Sequence, residues 1–379
     1  MDILSAMDDW GPEKVVCVRD ARSGMRGVLV IDNTARGMGK GGTRMSPTLS
    51  VTEVSRLART MTWKWAAVDL FHGGAKAGIL GDPKSPNKEE LLRAFAKALR
   101  NEVPNEYVFG LDMGLAEDDA AIFVDELGDR GVAVGLPTEL GGLPYDELGV
   151  TGFGVAEAAH AAATAVGLEM AESRVTIQGF GAVGVATALR LVELGATVTA
   201  VSTSEGSVLD DAGLDIERLV SLRDVYGDNC VREYGGLVEA EAALGARTDI
   251  LIPAAREDVI DETVAGHTTA QLVVEGANLP TTSGAKGILH GRGITVVPDF
   301  IANAGGIVAA AHSMDARQSP FVVNQGDVFE MISNKLRANA VTVIELSQKL
   351  RVKPHDAAAH LAQERVRRAM QLRGQLPCG

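Results

Sequence analysis

The sequence has few cysteines, few aromatic residues and no long apolar run, and each scarcity excludes a class of protein. Its three cysteines, Cys17, Cys230 and Cys378, lie far apart and show no ligand spacing with histidine, so we expect neither a disulfide framework nor a metal site. Aromatic residues make up 4% of the chain, which argues against a platform that stacks nucleic-acid bases. No stretch approaches the roughly 20 apolar residues of a membrane span. The acidic N-terminus lacks a signal-peptide pattern, so we expect a cytoplasmic protein.

Basic residues are also in the minority. The 379 residues include 50 acidic and 36 basic side chains, which gives a formal net charge of −14. This balance disfavours nucleic acid or an anionic membrane as a partner and leaves small molecules as the expected ligands. The chain contains 43 glycines, which suits an α/β enzyme with many turns, and it is long enough for two domains.

A glycine-rich fingerprint lies near the middle of the chain. Residues 179–184 read Gly-Phe-Gly-Ala-Val-Gly and follow an apolar run at 174–178 that predicts a strand. The pattern then predicts a helix over 182–194 and a second strand over 197–201. A GxGxxG sequence alone is a weak signal, but this βαβ order is the context in which it binds a dinucleotide.

The three glycines have separate expected tasks. Gly179 would form the tight turn, Gly181 would admit the pyrophosphate, and Gly184 would allow the helix to pack closely on the strand. Backbone N–H groups at the helix start would hold the phosphates. The predicted cofactor-binding residues of this loop are Gly179, Phe180, Gly181, Ala182, Val183 and Gly184.

The residue expected to contact the adenosine ribose is uncharged. An acid is usual about 20 residues after the glycines, and that position falls on Thr203. The missing charge removes a clash with the 2′-phosphate of NADP, and no arginine adjoins the position to bind that phosphate. The cofactor is therefore expected to be NAD or NADP, with a slight lean towards tolerance of NADP.

Three lysines near the beginning of the chain, Lys40, Lys64 and Lys76, lie on or beside predicted glycine-rich turns. Lys76 ends the run Gly-Gly-Ala-Lys at 73–76. A lysine in a dry pocket beside a second cation can reach a pKa of roughly 7 to 8 instead of about 10.4, which suits a base near neutral pH. Taken alone, however, the run is more typical of a surface loop.

Five motifs, one of which is the run that ends at Lys76, occur in order along the chain. They are Gly-Lys-Gly-Gly-Thr-Arg-Met at 39–45, Met-Thr-Trp-Lys at 61–64, Gly-Gly-Ala-Lys at 73–76, Leu-Asp-Met-Gly at 111–114, and Pro-Asp-Phe-Ile-Ala-Asn-Ala-Gly-Gly at 298–306. Together with the nucleotide fingerprint, this set resembles the glutamate, leucine, phenylalanine and valine dehydrogenase superfamily. The side-chain motif is most similar to that of the glutamate dehydrogenases.

The resemblance implies an NAD(P)-dependent amino-acid dehydrogenase, which converts an L-amino acid reversibly to the 2-oxo acid and ammonium. By resemblance, Lys76 is the general base that activates water, Asp112 moves protons at the amino group, and Lys64 binds the α-carboxylate. Lys64 would lower the pKa of Lys76 while Asp112 would raise it, so burial must help to outweigh the carboxylate. The resemblance also implies a homo-oligomer, most commonly a hexamer.

Three more positions are carried over from the family. Thr151 and Asn278 would hold the cofactor, and Asn303 would lie near the substrate and the nicotinamide. Each residue is equally compatible with an ordinary capping or turn role.

The choice of amino acid depends on two residues that give opposite indications. Glutamate enzymes of the family bind the γ-carboxylate with the lysine that matches Lys40, whereas enzymes for hydrophobic substrates carry leucine there. Glutamate enzymes also provide a serine hydroxyl at the position that matches Ala310. We expect glutamate; the alternatives are a leucine, valine or phenylalanine substrate, or a non-catalytic nucleotide-binding regulatory protein, which the intact Lys76 and Asp112 disfavour.

We expect a two-domain α/β protein. Residues 1–148 would form a mixed-sheet domain for substrate binding and oligomerisation, and residues 149–325 a Rossmann-type, doubly wound dinucleotide-binding domain. The C-terminal helices, over 326–379, would pack back on the first domain. A segment rich in glycine and proline at 140–149 is typical of a hinge, so we also expect domain closure.

Overall fold

A computed structural model describes residue 4, residues 7–145 and residues 147–376. Cys378 and, within the predicted hinge, Asp146 lie outside the described residues. Among these residues the chain forms two compact units. The first unit comprises everything up to Tyr145, residues 309–325 and the residues from Ala362 onward, and the second comprises residues 147–308 and 326–361. The C-terminal helical region, expected on the first domain as one block, is thus shared between the two units.

The first unit is built on a mixed sheet. Its elements are β1 (Lys14–Arg19), β2 (Arg26–Asn33), β3 (Gly39–Lys40), β4 (Thr43–Ser46), α1 (Val51–Ala67), β5 (Gly73–Leu80), α2 (Lys88–Ala98), β6 (Tyr107–Val108) and α3 (Glu117–Leu127). The strand order is β1-β2-β5-β3-β6, and β4 also pairs with β5. Strand β5 is antiparallel to β2 and parallel to β3 and β4, as expected for a mixed sheet.

Strand β5 lies at the centre of that sheet, where the sequence analysis predicted a turn around Lys76. Its glycines are explained by packing and not by chain reversal. A Cβ on Gly74 would lie 2.0 Å from Thr62 Oγ1 on α1, and a Cβ on Gly78 would lie 2.6 Å from the Leu49 side chain. The prediction of a turn was therefore wrong, because a strand must lack side chains where a helix lies so close to it.

Helix α1 and an aromatic cluster position this sheet. The Ser50 hydroxyl accepts a hydrogen bond from the Glu53 N–H at 3.1 Å, which caps α1 as its sequence predicts. On the side of α2 and α3, the buried rings of Phe109 and Phe123 stack with centroids 4.2 Å apart. Their burial holds the chain that leads out of β6, and this chain carries Asp112.

The second unit is a doubly wound sheet. Its elements are α4 (Val150–Ala165), β7 (Arg174–Gln178), α5 (Ala182–Glu193), β8 (Thr197–Thr203), β9 (Gly206–Leu209), α6 (Ile216–Tyr226), α7 (Cys230–Tyr234), α8 (Ala242–Gly245), β10 (Ile250–Pro253), α9 (Glu262–His267), β11 (Leu272–Val274), α10 (Ser283–Gly291), β12 (Thr295–Val297), α11 (Asp299–Ala302) and α13 (Gln325–Leu350). Two more helices, α12 (Gly305–Ala316) and α14 (Pro354–Leu372), contribute residues to both units, and α13 lies in the second unit except for its first residue, Gln325.

The strand order in this sheet is β12-β11-β10-β7-β8-β9. All neighbouring strands are parallel except β9, which is antiparallel to β8. The two-domain α/β fold predicted from the motifs is confirmed. Strand β9 and the short helices α6 to α8 lie in a region for which no element was predicted. Among the described helices, none is both long and apolar enough to cross a membrane.

A buried carboxylate joins three helices of the second unit. Glu157 on α4 is fully buried, and its Oε1 accepts a hydrogen bond from Arg190 Nε on α5 at 2.7 Å. Its Oε2 accepts hydrogen bonds from Ser333 Oγ at 2.6 Å and from Arg337 Nε, both on α13. Because both oxygens have cationic partners, these contacts outweigh burial and hold the pKa of Glu157 below its usual range.

Candidate active site

Lys76 and Asp112 form an ion pair in the first unit. Lys76 lies in β5 and Asp112 in the chain that follows β6, and Lys76 Nζ is 2.8 Å from Asp112 Oδ2. The lysine side chain is 8% exposed and the carboxylate side chain 23%, so the pair is shielded but reachable from solvent. The structure thus brings together the two residues that the sequence analysis named as catalytic.

Arg44 is a third member of this group that the sequence analysis left without a role. Its Nε donates a hydrogen bond to the same Oδ2 of Asp112 at 2.8 Å, while its Nη1 donates to Glu53 Oε1 at 2.8 Å. Arg44 lies in β4 and Glu53 in the first turn of α1. Arg44 is part of the motif at 39–45, which marks it as a candidate site residue. Its partner Asp112 lies 68 residues further along the chain, so the contact itself cannot be read from the motif.

The charges shift the pKa of both members of the ion pair. Burial lowers the pKa of Lys76; Asp112 opposes this shift, while Arg44 and Lys64 add to it. Burial would raise the pKa of Asp112, but Lys76 and Arg44 outweigh it, so that pKa lies below its usual range. The site therefore holds an ionised carboxylate beside a lysine that releases its proton more readily than a free lysine does.

Lys40 is a second buried cation. It lies in β3 and is 3% exposed, and its Nζ donates a hydrogen bond to the Val108 carbonyl at 3.2 Å. Within the part of the chain that the structure describes, no carboxylate pairs with it. Burial, together with the charges of Lys76 and Arg317, lowers the pKa of Lys40 to about 7. A Cβ on Gly110 would lie 2.6 Å from Lys40 Nζ, so glycine leaves room for the ammonium.

Arg317, at the end of α12, is another cation that sequence reasoning missed. It belongs to the first unit, and its Nη1 donates a hydrogen bond to the Met314 carbonyl. Met314 packs in one apolar cluster with Val108, whose carbonyl accepts the bond from Lys40. Arg317 lies close enough to Lys40 for its charge to help lower the pKa of that lysine, so it adds to the positive field at Lys40.

Hydrogen bonds fix the glycine-rich chain around Lys40. Trp65 Nε1 donates to the Lys40 carbonyl at 2.9 Å, and the Tyr107 hydroxyl donates to the Gly41 carbonyl at 3.0 Å. A Cβ on Gly41 would lie 1.8 Å from the Ala75 carbonyl oxygen. Glycine is therefore required for β3 to approach β5 and to bring Lys40 close to Lys76.

The remaining predicted substrate residues divide between the two units. Lys64 lies in the last turn of α1, close enough to Lys76 to help lower its pKa. Ala310 lies in the part of α12 that belongs to the first unit. Asn303 belongs to the second unit, where its Nδ2 donates to Asn278 Oδ1 at 3.1 Å.

The glycine loop of the second unit fits a dinucleotide. Gly179 has a φ of +96°, and a Cβ on Gly184 would lie 2.0 Å from the Gly179 carbonyl oxygen, so both glycines are required by the turn and by helix packing. A Cβ on Gly181 would meet nothing within 4 Å. This position faces open space at the first residue before α5, where a phosphate could approach the free N–H groups.

The other predicted cofactor-binding residues differ in how accessible their side chains are to a ligand. Phe180 is 1% exposed, so its ring belongs to the core, whereas Ala182 is exposed and Val183 is half-buried. Thr203 ends β8, and its hydroxyl donates to the Asp228 carbonyl at 2.8 Å. Thr151 lies in the first turn of α4, with its Oγ1 3.4 Å from the place where a Cβ on Gly306 would lie.

Gly179, Phe180 and Gly181 of the loop line a groove of about 1000 Å³ in the second unit. Its walls include the glycine loop, the end of β8, and the chain after β10. An open glycine turn at a helix start, beside the carboxyl ends of parallel strands, is where α/β sheets bind nucleotides.

Comparison with known proteins agrees with this geometry. Residues 141–374 match the family described as Glutamate/Leucine/Phenylalanine/Valine dehydrogenase, and residues 12–128 match its dimerisation domain. The chain is 35% identical to the NADP-specific glutamate dehydrogenase of Saccharolobus shibatae, over 99% of this chain and 93% of that protein. It is 33% identical to the NAD-specific glutamate dehydrogenase of Staphylococcus aureus, over 90% of this chain and 84% of that protein.

The fold comparison gives the same result. The hetero-hexameric glutamate dehydrogenase of Thermus thermophilus, solved in its leucine-bound form, superimposes with a TM-score of 0.79 at 31% identity, over 97% of this chain and 91% of that one. The predicted family and the predicted use of NAD or NADP are confirmed. The chain belongs to the glutamate/leucine/phenylalanine/valine dehydrogenase family of NAD(P)-dependent oxidoreductases.

Proposed function

We propose that this enzyme catalyses the reversible oxidative deamination of L-glutamate to the 2-oxo acid and ammonium. The observation that carries the proposal is the burial of Lys40 with no carboxylate partner among the described residues. An unpaired buried ammonium is costly, and a substrate γ-carboxylate would supply the missing charge. The relatives named as glutamate dehydrogenases support the same substrate.

Ala310 is the residue that argues against glutamate. A hydroxyl here would add one charge-assisted hydrogen bond, worth about 1.5 to 3 kcal/mol. Arg317 offers a compensating charge, because it adds to the positive field at Lys40. The combined positive charge of Lys40 and Arg317 favours a dicarboxylate substrate over leucine, valine or phenylalanine, whose side chains carry no charge to balance it.

The remaining residues would perform the chemistry. Gly179 and Gly181 would hold the dinucleotide, which would supply the acceptor for the hydride that leaves the amino-acid Cα. Lys64 would hold the α-carboxylate and orient the substrate. Lys76, with its lowered pKa, would take a proton from the water that attacks the imine carbon, and Asp112 would carry protons to and from the nitrogen. Lys76 Nζ lies 2.8 Å from Asp112 Oδ2, so the proton that Lys76 takes from water could pass directly to Asp112.

The substrate assignment is tested by replacing Lys40 with leucine. We expect kcat/KM for glutamate to fall by roughly 10- to 100-fold or more, the loss expected for a charged hydrogen bond in a buried site. The kcat/KM for leucine or norvaline should hold or rise. Lys84→Leu, at an exposed lysine, is the matched control. If Lys40→Leu kept full glutamate activity, or if the unaltered enzyme preferred leucine, the assignment to glutamate would be rejected.

We also propose a cytoplasmic homo-oligomer, most simply a hexamer. The match of residues 12–128 to a dimerisation domain supports self-association, and the Thermus thermophilus enzyme is a hetero-hexamer. Light scattering coupled to size-exclusion chromatography measures the mass directly. A monomer at micromolar concentration would contradict the proposal.

A further inference from the structure

We propose that Asp228 contacts the adenosine ribose and makes the enzyme select NAD over NADP. The inference rests on the use of a dinucleotide, but not on which amino acid is oxidised. Thr203, at the end of β8, carries no charge and by itself favours tolerance of NADP. Asp228 reaches the same place from a different segment, a single helical turn over Gly227–Asn229 that lies between α6 and α7.

Two hydrogen bonds hold Asp228 against the end of β8. The Thr203 hydroxyl donates to the Asp228 carbonyl at 2.8 Å, and the Ser204 hydroxyl donates to Asp228 Oδ2 at 2.7 Å. Asp228 also lines the groove that contains Gly179 and Gly181. A carboxylate therefore stands beside the position at which an acid is expected in a dinucleotide-binding unit.

The second oxygen of this carboxylate is available to a ligand. Within the described residues Asp228 Oδ1 has no hydrogen-bond partner, and the side chain is exposed to the groove. A ribose 2′-hydroxyl could donate a hydrogen bond to it. A 2′-phosphate, with about −1.5 to −2 charges at neutral pH, would instead meet a negative oxygen that is held in place by Ser204.

The cations near this end of the groove do not offset that charge. Arg232 Nη2 lies 3.1 Å from Glu205 Oε2, and Arg223 Nε donates to the Phe180 carbonyl. Arg256 also lines the groove, but it follows β10, and among the described residues no hydrogen bond or ion pair joins it to Asp228.

Acidic residues outnumber arginines around the groove as a whole. Four acidic residues line it, namely Asp228, Glu241, Asp258 and Asp261, whereas Arg256 is the one arginine among its described lining residues. A phosphate added at the ribose would therefore enter a negative field. The geometry and the surrounding charge both favour the ligand that carries a hydroxyl at this position.

Equilibrium binding tests the inference without turnover. Isothermal titration calorimetry of the intact enzyme would give Kd values for NAD+ and NADP+ in the absence of amino acid. We expect the unaltered enzyme to bind NAD+ at least tenfold more tightly. Asp228→Asn should weaken NAD+ binding and strengthen NADP+ binding. The Kd for NADP+ divided by the Kd for NAD+ should therefore fall at least tenfold. Asp228→Glu keeps the charge and should retain the preference for NAD+.

Asp224→Asn is the matched control, because Asp224 is an exposed acid on α6 that does not line the groove. It should leave both Kd values unchanged. Tighter binding of NADP+ by the unaltered enzyme would overturn the inference. The inference would also be overturned if Asp228→Asn left the ratio of the Kd for NADP+ to the Kd for NAD+ unchanged in a variant whose thermal unfolding midpoint shows that it is folded. Failure to oxidise glutamate would reject only the proposed substrate, since the binding ratio needs no amino acid.

Discussion

Replacing Lys40 with methionine should stabilise the free enzyme in a pH-dependent way. Folding lowers the pKa of Lys40 from 10.5 to about 7, mainly through burial. At about 1.36 kcal/mol for each pKa unit, the buried charge costs on the order of 5 kcal/mol when Lys40 is protonated in both states. Methionine has a similar length and carries no charge, so the variant avoids this cost.

The sign of the pH dependence follows from the direction of the shift. Because the folded pKa is the lower one, the unfolded chain binds more protons between about pH 7 and pH 10.5. The stability of the unaltered enzyme therefore rises with pH in that window, as far as Lys40 is concerned. The full cost of the buried charge is present below pH 7 and disappears above pH 10.5.

The difference in the free energy of unfolding between Lys40→Met and the unaltered enzyme is therefore largest at low pH. Methionine cannot donate the hydrogen bond to Val108, which offsets the gain by about 1 kcal/mol. We expect Lys40→Met to be more stable than the unaltered enzyme by about 3 to 4 kcal/mol at pH 6. At pH 10 the two proteins should agree within about 1 kcal/mol.

Denaturant unfolding at pH 6, 8 and 10, at one protomer concentration, measures this difference. Lys84→Met, at an exposed lysine, is the control and should follow the unaltered enzyme at every pH. Glutarate, a dicarboxylate that cannot be oxidised, should stabilise the unaltered enzyme more than the Lys40→Met variant. A stability gap that is independent of pH, or a less stable Lys40→Met protein at pH 6, would refute a buried, unpaired ammonium.

Two further predictions follow from the charged clusters. Arg44→Met removes a cation that lowers the pKa of Asp112, so the acidic limb of the kcat/KM profile against pH should move to higher pH; an unmoved limb would contradict a role for Asp112 in the reaction. Glu157→Gln leaves the half-buried Arg190 and Arg337 without their counter-charge and should cost about 1.5 to 3 kcal/mol of stability, as for the loss of a hydrogen bond to a charged group. Glu193→Gln, at a largely exposed ion pair, should cost less than about 1 kcal/mol in the same denaturation experiment.

Much of the fold follows from local sequence patterns. The strand before the glycine loop and the helix after it, β7 and α5, begin and end within one or two residues of their predicted bounds, because apolar periodicity and glycine breaks specify them locally. Strand β5 was missed for the opposite reason. Its glycines are required by α1, which lies across the sheet, so the packing that explains them cannot be read from the strand itself.

The candidate site shows the same division between local and distant information. Lys76 and Asp112 each stand in a recognisable motif, and their pairing follows from the resemblance. Arg44 stands in a motif as well, but its role depends on a contact made after folding. Asp228 stands in no motif, and its position beside Thr203 depends on the helical turn between α6 and α7.

Cofactor preference can change in such an enzyme without a change in its acid-base chemistry. Asp228, the charge proposed to choose the cofactor, comes from a segment separate from the ion pair of Lys76 and Asp112. Asp228 is not among the charges that mainly shift the pKa of Lys76 or of Asp112, so a substitution at Asp228 should alter the Kd for NADP+ and leave those two pKa values unchanged. Cofactor preference should then vary independently of the acid-base chemistry. Lys40, whose pKa is lowered by burial and by the charge of Lys76, should instead couple substrate choice to that chemistry.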